Sequence, residues 1–269
     1  MAEDTEILRE VWNGRIPVCF NLASNEVSTV EQPEPYFVLL PRNSYLPLVT
    51  EKVKRNFQRA VTPERGDEMW FDWDGQPLKW HFPIGLLFDL YGNPESLPWN
   101  LTVHFKRFPE EQIIHCPGED AVESFFMSSL KEADFIKHRG SIMNNMQKKD
   151  HRQLWNGLKN DQFDLFWEVN KRLMASGEPF RSIPYRIYQG DQQTYIQEPI
   201  KPQSDDDQLV SLGDLIKQHV PHAVAPGSNG SAHHVIVHGV EPPLDTPLQF
   251  LSEHFSHPDN FLHIAIVTR

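Results

Sequence analysis

Short runs of alternating apolar and polar residues, separated by proline and glycine, fill the first hundred residues of the chain. A period of two is typical of half-buried strands, so we predict strands at 15–22, 36–40, 69–73, 78–82 and 101–105. Between them, Thr50 precedes apolar residues at steps of four, and Pro83 opens the apolar run 84–90. Both features predict helices, and the whole region is expected to form one small mixed domain.

The last part of the chain repeats this plan. Strands are predicted at 183–188, 194–197, 235–237 and 262–266, while Ser211 is expected to cap one helix and Pro247 to open another. Gly75 and Pro83 correspond to Gly239 and Pro247, which lie 164 residues later. The pattern indicates a duplicated β-grasp unit, in which a helix crosses a mixed sheet. The alternative, that proline and glycine punctuate any small α+β domain, stays open at this point.

The segment between these two regions differs in composition, because no proline occurs from Glu119 to Met174. Apolar residues recur there at helical spacing, beginning with Val122, Phe125 and Phe126. Asp150, and Asn160 or Asp161, are candidate N-caps. We predict two or three helices, and hence an α+β chain with two β-grasp domains flanking a helix-rich domain.

Composition and charge narrow the function. The 269 residues carry a formal net charge of −12, which argues against nucleic-acid binding because a nucleic-acid binder needs a basic face. No apolar stretch is long enough to span a bilayer, and the acidic start does not resemble a secretory signal. Two cysteines in a chain of this length favour a reducing compartment.

The sequence offers few candidate catalytic or ligand-binding residues. His115 and Cys116 are adjacent and could pair as base and nucleophile, so a thiol enzyme using Cys116 is kept as an alternative. No spacing typical of a metal site or a phosphate loop occurs, and we expect no metal, no cofactor and no catalytic residue.

A chain of this kind can still accept a modifier on an exposed lysine. Lys131 is one candidate among many, since it should flank the apolar face of the predicted helix with its ammonium in water. Glu132 and Asp134 lie beside it in the sequence, so we expect negative charge around the amine and a partner enzyme to remove its proton. A plain interaction module that is never conjugated is the other alternative.

Several long runs carry a family resemblance. They are Val11-Trp-Asn-Gly-Arg-Ile-Pro17, Pro77-Leu-Lys-Trp-His-Phe-Pro-Ile-Gly-Leu-Leu-Phe-Asp-Leu90, Phe126-Met-Ser-Ser-Leu-Lys-Glu-Ala-Asp134 and Pro258-Asp-Asn-Phe-Leu-His263. Through these runs and over its whole length, the sequence resembles the autophagy protein 5 family. The resemblance implies an N-terminal helix at 1–10, ubiquitin-like domains at 11–110 and 182–269, and a helix-rich domain at 118–178.

The resemblance also implies a function. Lys131 is the acceptor lysine, which forms an isopeptide bond with the C-terminal glycine of the ubiquitin-like autophagy protein 12. Autophagy proteins 7 and 10 act as the E1-like and E2-like enzymes. The conjugate binds the N-terminal helix of autophagy protein 16 and promotes lipidation of the autophagy protein 8 family. The chain is then a non-catalytic scaffold, cytoplasmic and peripheral at the phagophore membrane, with membrane contact through the complex.

Overall fold

A computed structural model describes residues 2–62, 68–174, 180–190, 194–224 and 233–268. The chain divides into two compact units. One unit is Gly14–Ser124, and the other combines Met1–Asn13 with Phe125–Arg269.

The unit Gly14–Ser124 is built on a five-stranded mixed sheet. Its strands are β1 (Arg15–Leu22), β2 (Tyr36–Pro41), β3 (Trp70–Trp73), β4 (Gln76–Pro77) and β5 (Trp99–His104), in the order β2-β1-β5-β3-β4. Strand β5 runs parallel to β1 and antiparallel to β3, so the last strand lies at the centre of the sheet. The helices are α2 (Leu46–Val49), α3 (Glu51–Phe57) and α4 (Ile84–Tyr91). The hairpin after β3 turns at Asp74 and Gly75, both of which have positive φ, as the dipeptide predicts.

One local prediction for this unit is wrong. Residues 78–82 form no strand, because the ladder with β3 ends at Pro77 and the side chains of Trp80 and Phe82 pack into the core instead. Thr50 is the N-cap residue of α3, as its place before the apolar pattern suggests, although its hydroxyl donates to the carbonyl of Leu46 at 2.6 Å and makes no capping bond. Helix α4 begins directly after Pro83 as predicted.

The second unit contains the other sheet. Its strands are β6 (Tyr185–Gln189), β7 (Tyr195–Ile196), β8 (His233–Val237) and β9 (Leu262–Thr268), in the order β7-β6-β9-β8. As in the first sheet, the last strand lies in the interior, since β9 runs parallel to β6 and antiparallel to β8. The helices are α9 (Leu212–His219) and α10 (Leu248–Phe255), and α9 begins with a capping box between Ser211 and Asp214. The same order of pairing in both sheets confirms the duplicated plan.

Five further helices belong wholly or mostly to this second unit. They are α1 (Ala2–Trp12), α5 (Glu119–His138), α6 (Ser141–Asn145), α7 (Lys148–Lys159) and α8 (Phe163–Met174). The predicted N-caps are misplaced, because Gln147 caps α7 with Asp150 at the third helical position, and α8 begins at Phe163 rather than directly after Asp161. Helix α1 packs on α8 through Trp12, whose ring lies 5.0 Å from that of Phe166.

Candidate functional site

Helix α5 carries Lys131 on its exposed side. The opposite side of the helix is fully buried at Phe126, Leu130 and Ala133. These residues lie at helical spacing, so their burial fixes the direction in which the neighbouring side chains point. Lys131 is exposed, as the sequence predicts.

The carboxylate of Glu132 is held by two side chains from the second sheet region. Arg186 on β6 donates to Oε2 at 2.9 Å, and Gln197 donates to Oε1 at 2.7 Å. Arg186 also donates to Gln197 Oε1 at 2.9 Å, which closes a three-membered cluster. The guanidinium lies 3.7 Å from the ring centroid of Phe261, and this stacking keeps it nearly buried.

Asp134 points away from the surface. It is 1% exposed, and its Oδ2 accepts a hydrogen bond from the backbone N–H of Met143 at 2.8 Å. The negative charges expected around Lys131 are therefore engaged elsewhere, Glu132 with Arg186 and Asp134 at the start of α6. Glu132 is adjacent to Lys131 and therefore points to another side of the helix. Asp134 lies three positions on, a spacing at which side chains can meet, but it is turned inward to the backbone N–H of Met143.

The second lysine of α5 has the opposite environment. Lys137 is 1% exposed, and its Nζ lies 3.0 Å from Met174 Sδ and 3.3 Å from Asn260 Oδ1. Its ammonium also stands 4.6 Å from the ring centroid of Phe180. Burial lowers its pKa from 10.5 to about 7, although the negative charge of Asp134 opposes the shift. Lys137 thus has a readily deprotonated amine but is sealed from any protein partner.

The thiol of Cys116 lacks the arrangement that nucleophilic catalysis needs. Its Sγ contacts the carbonyl of Gly118, while Nδ1 of His115 pairs with Glu68 at 2.8 Å and the imidazole stacks on Phe108. Burial raises the pKa of the Cys116 thiol, which disfavours the thiolate. The pairing of His115 with Glu68 and the raised pKa of the Cys116 thiol both argue against the alternative of a thiol enzyme.

Other kinds of site are absent from the described part of the chain. No group of three or more His, Cys, Asp or Glu side chains there could hold a metal ion. Among the same residues, no helix is both long and apolar enough to cross a membrane.

Sequence reasoning missed the contributions of Arg186, Gln197 and Lys137. The first two lie more than fifty residues from Glu132 along the chain, and no local signal links them. Lys137 follows Lys131 by six positions, which places it on another face of the helix, and that spacing was the available clue.

Comparisons with known proteins extend over the whole chain. Residues 11–105 match the family model described as Autophagy protein ATG5, UblA domain. Residues 119–176 match the alpha-helical bundle region of the same protein, and residues 182–266 match its UblB domain.

Full-length relatives agree with these matches. Autophagy protein 5 of Drosophila melanogaster is 45% identical over 272 residues, covering 99% of this chain and 98% of its own. Autophagy-related protein 5 of Caenorhabditis elegans is 33% identical and covers 98% of both chains. The crystal structure of Kluyveromyces marxianus Atg5 superimposes with a TM-score of 0.83 at 20% identity, covering 98% of this chain and 100% of that one. This structural likeness shows the same fold, with two ubiquitin-like domains flanking a helical region in the sequence.

Proposed function

This chain belongs to the autophagy protein 5 family, and from that premise we propose that it is the acceptor of a ubiquitin-like modifier, joined through an isopeptide bond to Lys131. The modifier that fits the family is autophagy protein 12. The observation that carries the proposal is the contrast within α5, where Lys131 is exposed and Lys137 is sealed.

The reaction requires only a nucleophilic amine from the acceptor chain. The neutral amine of Lys131 attacks the carbonyl carbon of a thioester between the modifier's terminal glycine and an enzyme cysteine. A C–N bond forms and the C–S bond breaks. The enzyme thiol leaves and takes up the proton that the amine loses, so no cofactor is consumed. The chain itself supplies a positioned nucleophile and no catalytic residue.

Selection of the lysine follows from access rather than from amine reactivity. Lys137 has the pKa of about 7 that favours a neutral amine, yet its Nζ is enclosed by Met174, Asn260 and Phe180. A thioester on a second protein cannot enter that space without local unfolding. The rigid packing of the same helix holds the backbone of Lys131 at a fixed place on the surface.

The remaining partners follow from the same premise. The E1-like and E2-like autophagy proteins 7 and 10 supply the thioester, and the conjugate binds the N-terminal helix of autophagy protein 16. The assembly then acts as an E3-like factor for lipidation of the autophagy protein 8 family. The chain is accordingly placed in the cytoplasm and at the phagophore membrane, where contact is made through the complex.

The experiment is reconstituted conjugation with the modifier and its two enzymes. Lys131→Arg keeps the charge and most of the bulk but removes the nucleophilic amine, so the heavier conjugate band should disappear. Lys149→Arg, at an exposed position on α7, is the matched control and should conjugate like the wild type. Full conjugation of Lys131→Arg would refute the site. Absence of any conjugate from the wild type with active enzymes would favour the unconjugated interaction module.

A further inference from the structure

Two polar contacts join the C-terminal half of α5 to the second ubiquitin-like domain. The first is made by Glu132, whose carboxylate accepts hydrogen bonds from Arg186 at 2.9 Å and from Gln197 at 2.7 Å. The second is made by Lys137, whose Nζ lies 3.3 Å from Oδ1 of Asn260. The helix is therefore tied to that domain at two points along its length.

The guanidinium of Arg186 has little freedom to move. It contacts two aromatic rings, at 3.7 Å from the centroid of Phe261 and 4.8 Å from that of Tyr195. The Arg186 side chain is only 6% exposed, whereas that of Glu132 is 45% exposed. The buried guanidinium thus determines where the Glu132 carboxylate lies, while presenting almost no surface to another protein.

The segment that supplies Asn260 is held by buried hydrogen bonds of its own. Nδ2 of Asn260 donates to Oδ1 of Asn170 on α8 at 2.7 Å. Next to it, Oδ2 of Asp259 lies 3.0 Å from Nε2 of His263, and Nδ1 of His263 lies 2.9 Å from the hydroxyl of Tyr188. All of these side chains are buried. The second contact of α5 therefore also ends at a fixed point.

The apolar side of α5 holds the helix in place but defines its angle less closely. Phe126 packs on Trp155 and Phe166, with ring centroids 6.1 and 6.5 Å away. Apolar contacts are non-directional, so a small rotation of the helix keeps most of the buried area. A rotation of about 20° would nevertheless move side-chain ends, about 6 Å from the axis, by about 2 Å. That displacement would break the bond between Arg186 and Glu132.

We propose that Arg186 is a positioning residue for the acceptor lysine and that, through Glu132, it sets the angle at which α5 presents the amine of Lys131 to a thioester. This inference rests on the proposed function of Lys131 and deepens it by naming what aims the nucleophile. Adjacent Cα atoms are about 3.8 Å apart, so an anchor on Glu132 restrains the backbone of Lys131. The contact between Lys137 and Asn260 restrains the same helix about 8 Å further along.

The test is transfer of the modifier from a preformed enzyme thioester to the full chain, measured as kcat and KM. Arg186→Met removes both hydrogen-bond donors and keeps an apolar stem against Phe261. It should lower kcat about tenfold, because misplacement by about 1 Å slows a reaction strongly. It should leave KM unchanged, because the buried side chain makes no contact with the enzyme. Arg172→Met, which removes an ion pair with Asp150, is the matched control and should keep both wild-type constants.

A second measurement separates the aiming of the amine from its chemical reactivity. The acetyl ester of N-hydroxysuccinimide is small enough to approach Lys131 without a docked enzyme, and acetylation at that residue is followed by mass spectrometry. Its rate should be the same in Arg186→Met and in the wild type. Glu132→Ala should also lower kcat, and the double variant should be no slower than the slower single variant, because both substitutions break the same contact.

The outcomes distinguish the positioning role from the proposed function. Transfer to Lys131→Arg would overturn the proposed function itself. If Lys131→Arg is inert but Arg186→Met keeps the wild-type kcat, only the positioning role is wrong. A raised KM with unchanged kcat, or an equal loss of acetylation, would also overturn that role.

Stability is the remaining control. The melting temperature of Arg186→Met should fall by less than about 5 °C. A larger fall, with kcat restored at lower temperature, would reduce Arg186 to a structural role and overturn the proposal. If Arg186→Met does not fold, Glu132→Ala decides the question at a half-exposed side chain, and a wild-type kcat in that variant would overturn the proposal.

Discussion

The buried ammonium of Lys137 makes the stability of this chain depend on pH in a way that one substitution should remove. Its pKa falls from 10.5 to about 7 on folding because burial penalises the charged form. Between these pH values the unfolded state binds more protons than the folded state. The free energy of unfolding therefore rises as the pH rises from about 7 to 10.5. Below pH 7 the whole energetic cost of burying the Lys137 ammonium is present.

The magnitude follows from linkage. With these two pKa values, folding around Lys137 costs about 4 kcal/mol at pH 7 and about 2 kcal/mol at pH 9. The wild type should then gain about 2 kcal/mol of unfolding free energy between pH 7 and pH 9 from this group alone. Lys137→Met removes the ionisable group and keeps an apolar stem beside Phe180. It also leaves Asn260 Oδ1 without that donor, which costs about 1–3 kcal/mol.

The assay is urea unfolding followed by tryptophan fluorescence, because urea does not screen charges and the chain has 7 tryptophans. Lys137→Met should be more stable than the wild type at pH 7 by about 1–3 kcal/mol, with the advantage shrinking by about 2 kcal/mol at pH 9. Lys149→Met, at an exposed position, is the control and should leave the pH dependence intact. Parallel curves for wild type and Lys137→Met from pH 7 to 9 would refute a buried, titrating ammonium.

Two further predictions concern packing and a buried ion pair. Gly157→Ala should destabilise the chain by about 1–3 kcal/mol in the same urea assay, because a Cβ there would meet the backbone of Phe166 at 2.7 Å. Gly118→Ala, which has open space around it, is the control and should be close to neutral. If Gly157→Ala were as stable as the wild type, the close approach of α7 to α8 at Phe166 would be contradicted. Asp89→Asn should cost about 3–5 kcal/mol because it removes the carboxylate charge that neutralises the buried guanidinium of Arg42, 2.6 Å away, and a melting temperature unchanged from the wild type would exclude this role.

Much of the fold follows from local chemistry. The hairpin at Asp74 and Gly75, the helix start after Pro83 and the capping box at Ser211 each depend on residues a few positions apart, so the sequence reports them directly. The capping of α7 was less predictable because Gln147 and Asp150 share it, and the pattern indicates only the acidic member. The run 78–82 alternates like a strand, but after the Leu78 N–H, which donates to the carbonyl of Phe71 at 2.9 Å, it leaves the sheet, and Trp80 and Phe82 pack into the core.

The candidate site likewise has some features that the sequence shows and others that appear only in the folded chain. Exposure of Lys131 follows from the helical period of its buried neighbours, which the sequence shows. The partners of Glu132 come from strand β6 and the segment after β7, so only the folded chain brings them together. The proposal that Lys131 is the acceptor rests on the family motif, because burial and charge distinguish an accessible lysine from an inaccessible one but not an acceptor lysine from any other exposed lysine.

The central place of β5 and β9 has a consequence for synthesis of the chain. Each sheet closes only when its final strand inserts between strands made much earlier, so neither half can complete its hydrogen-bonding ladder while that strand is still inside the ribosome. A premature stop before residue 262 would split the second sheet through its middle and separate the β6–β7 pair from β8. Such a truncation should therefore yield a chain that is degraded rather than a shorter working protein.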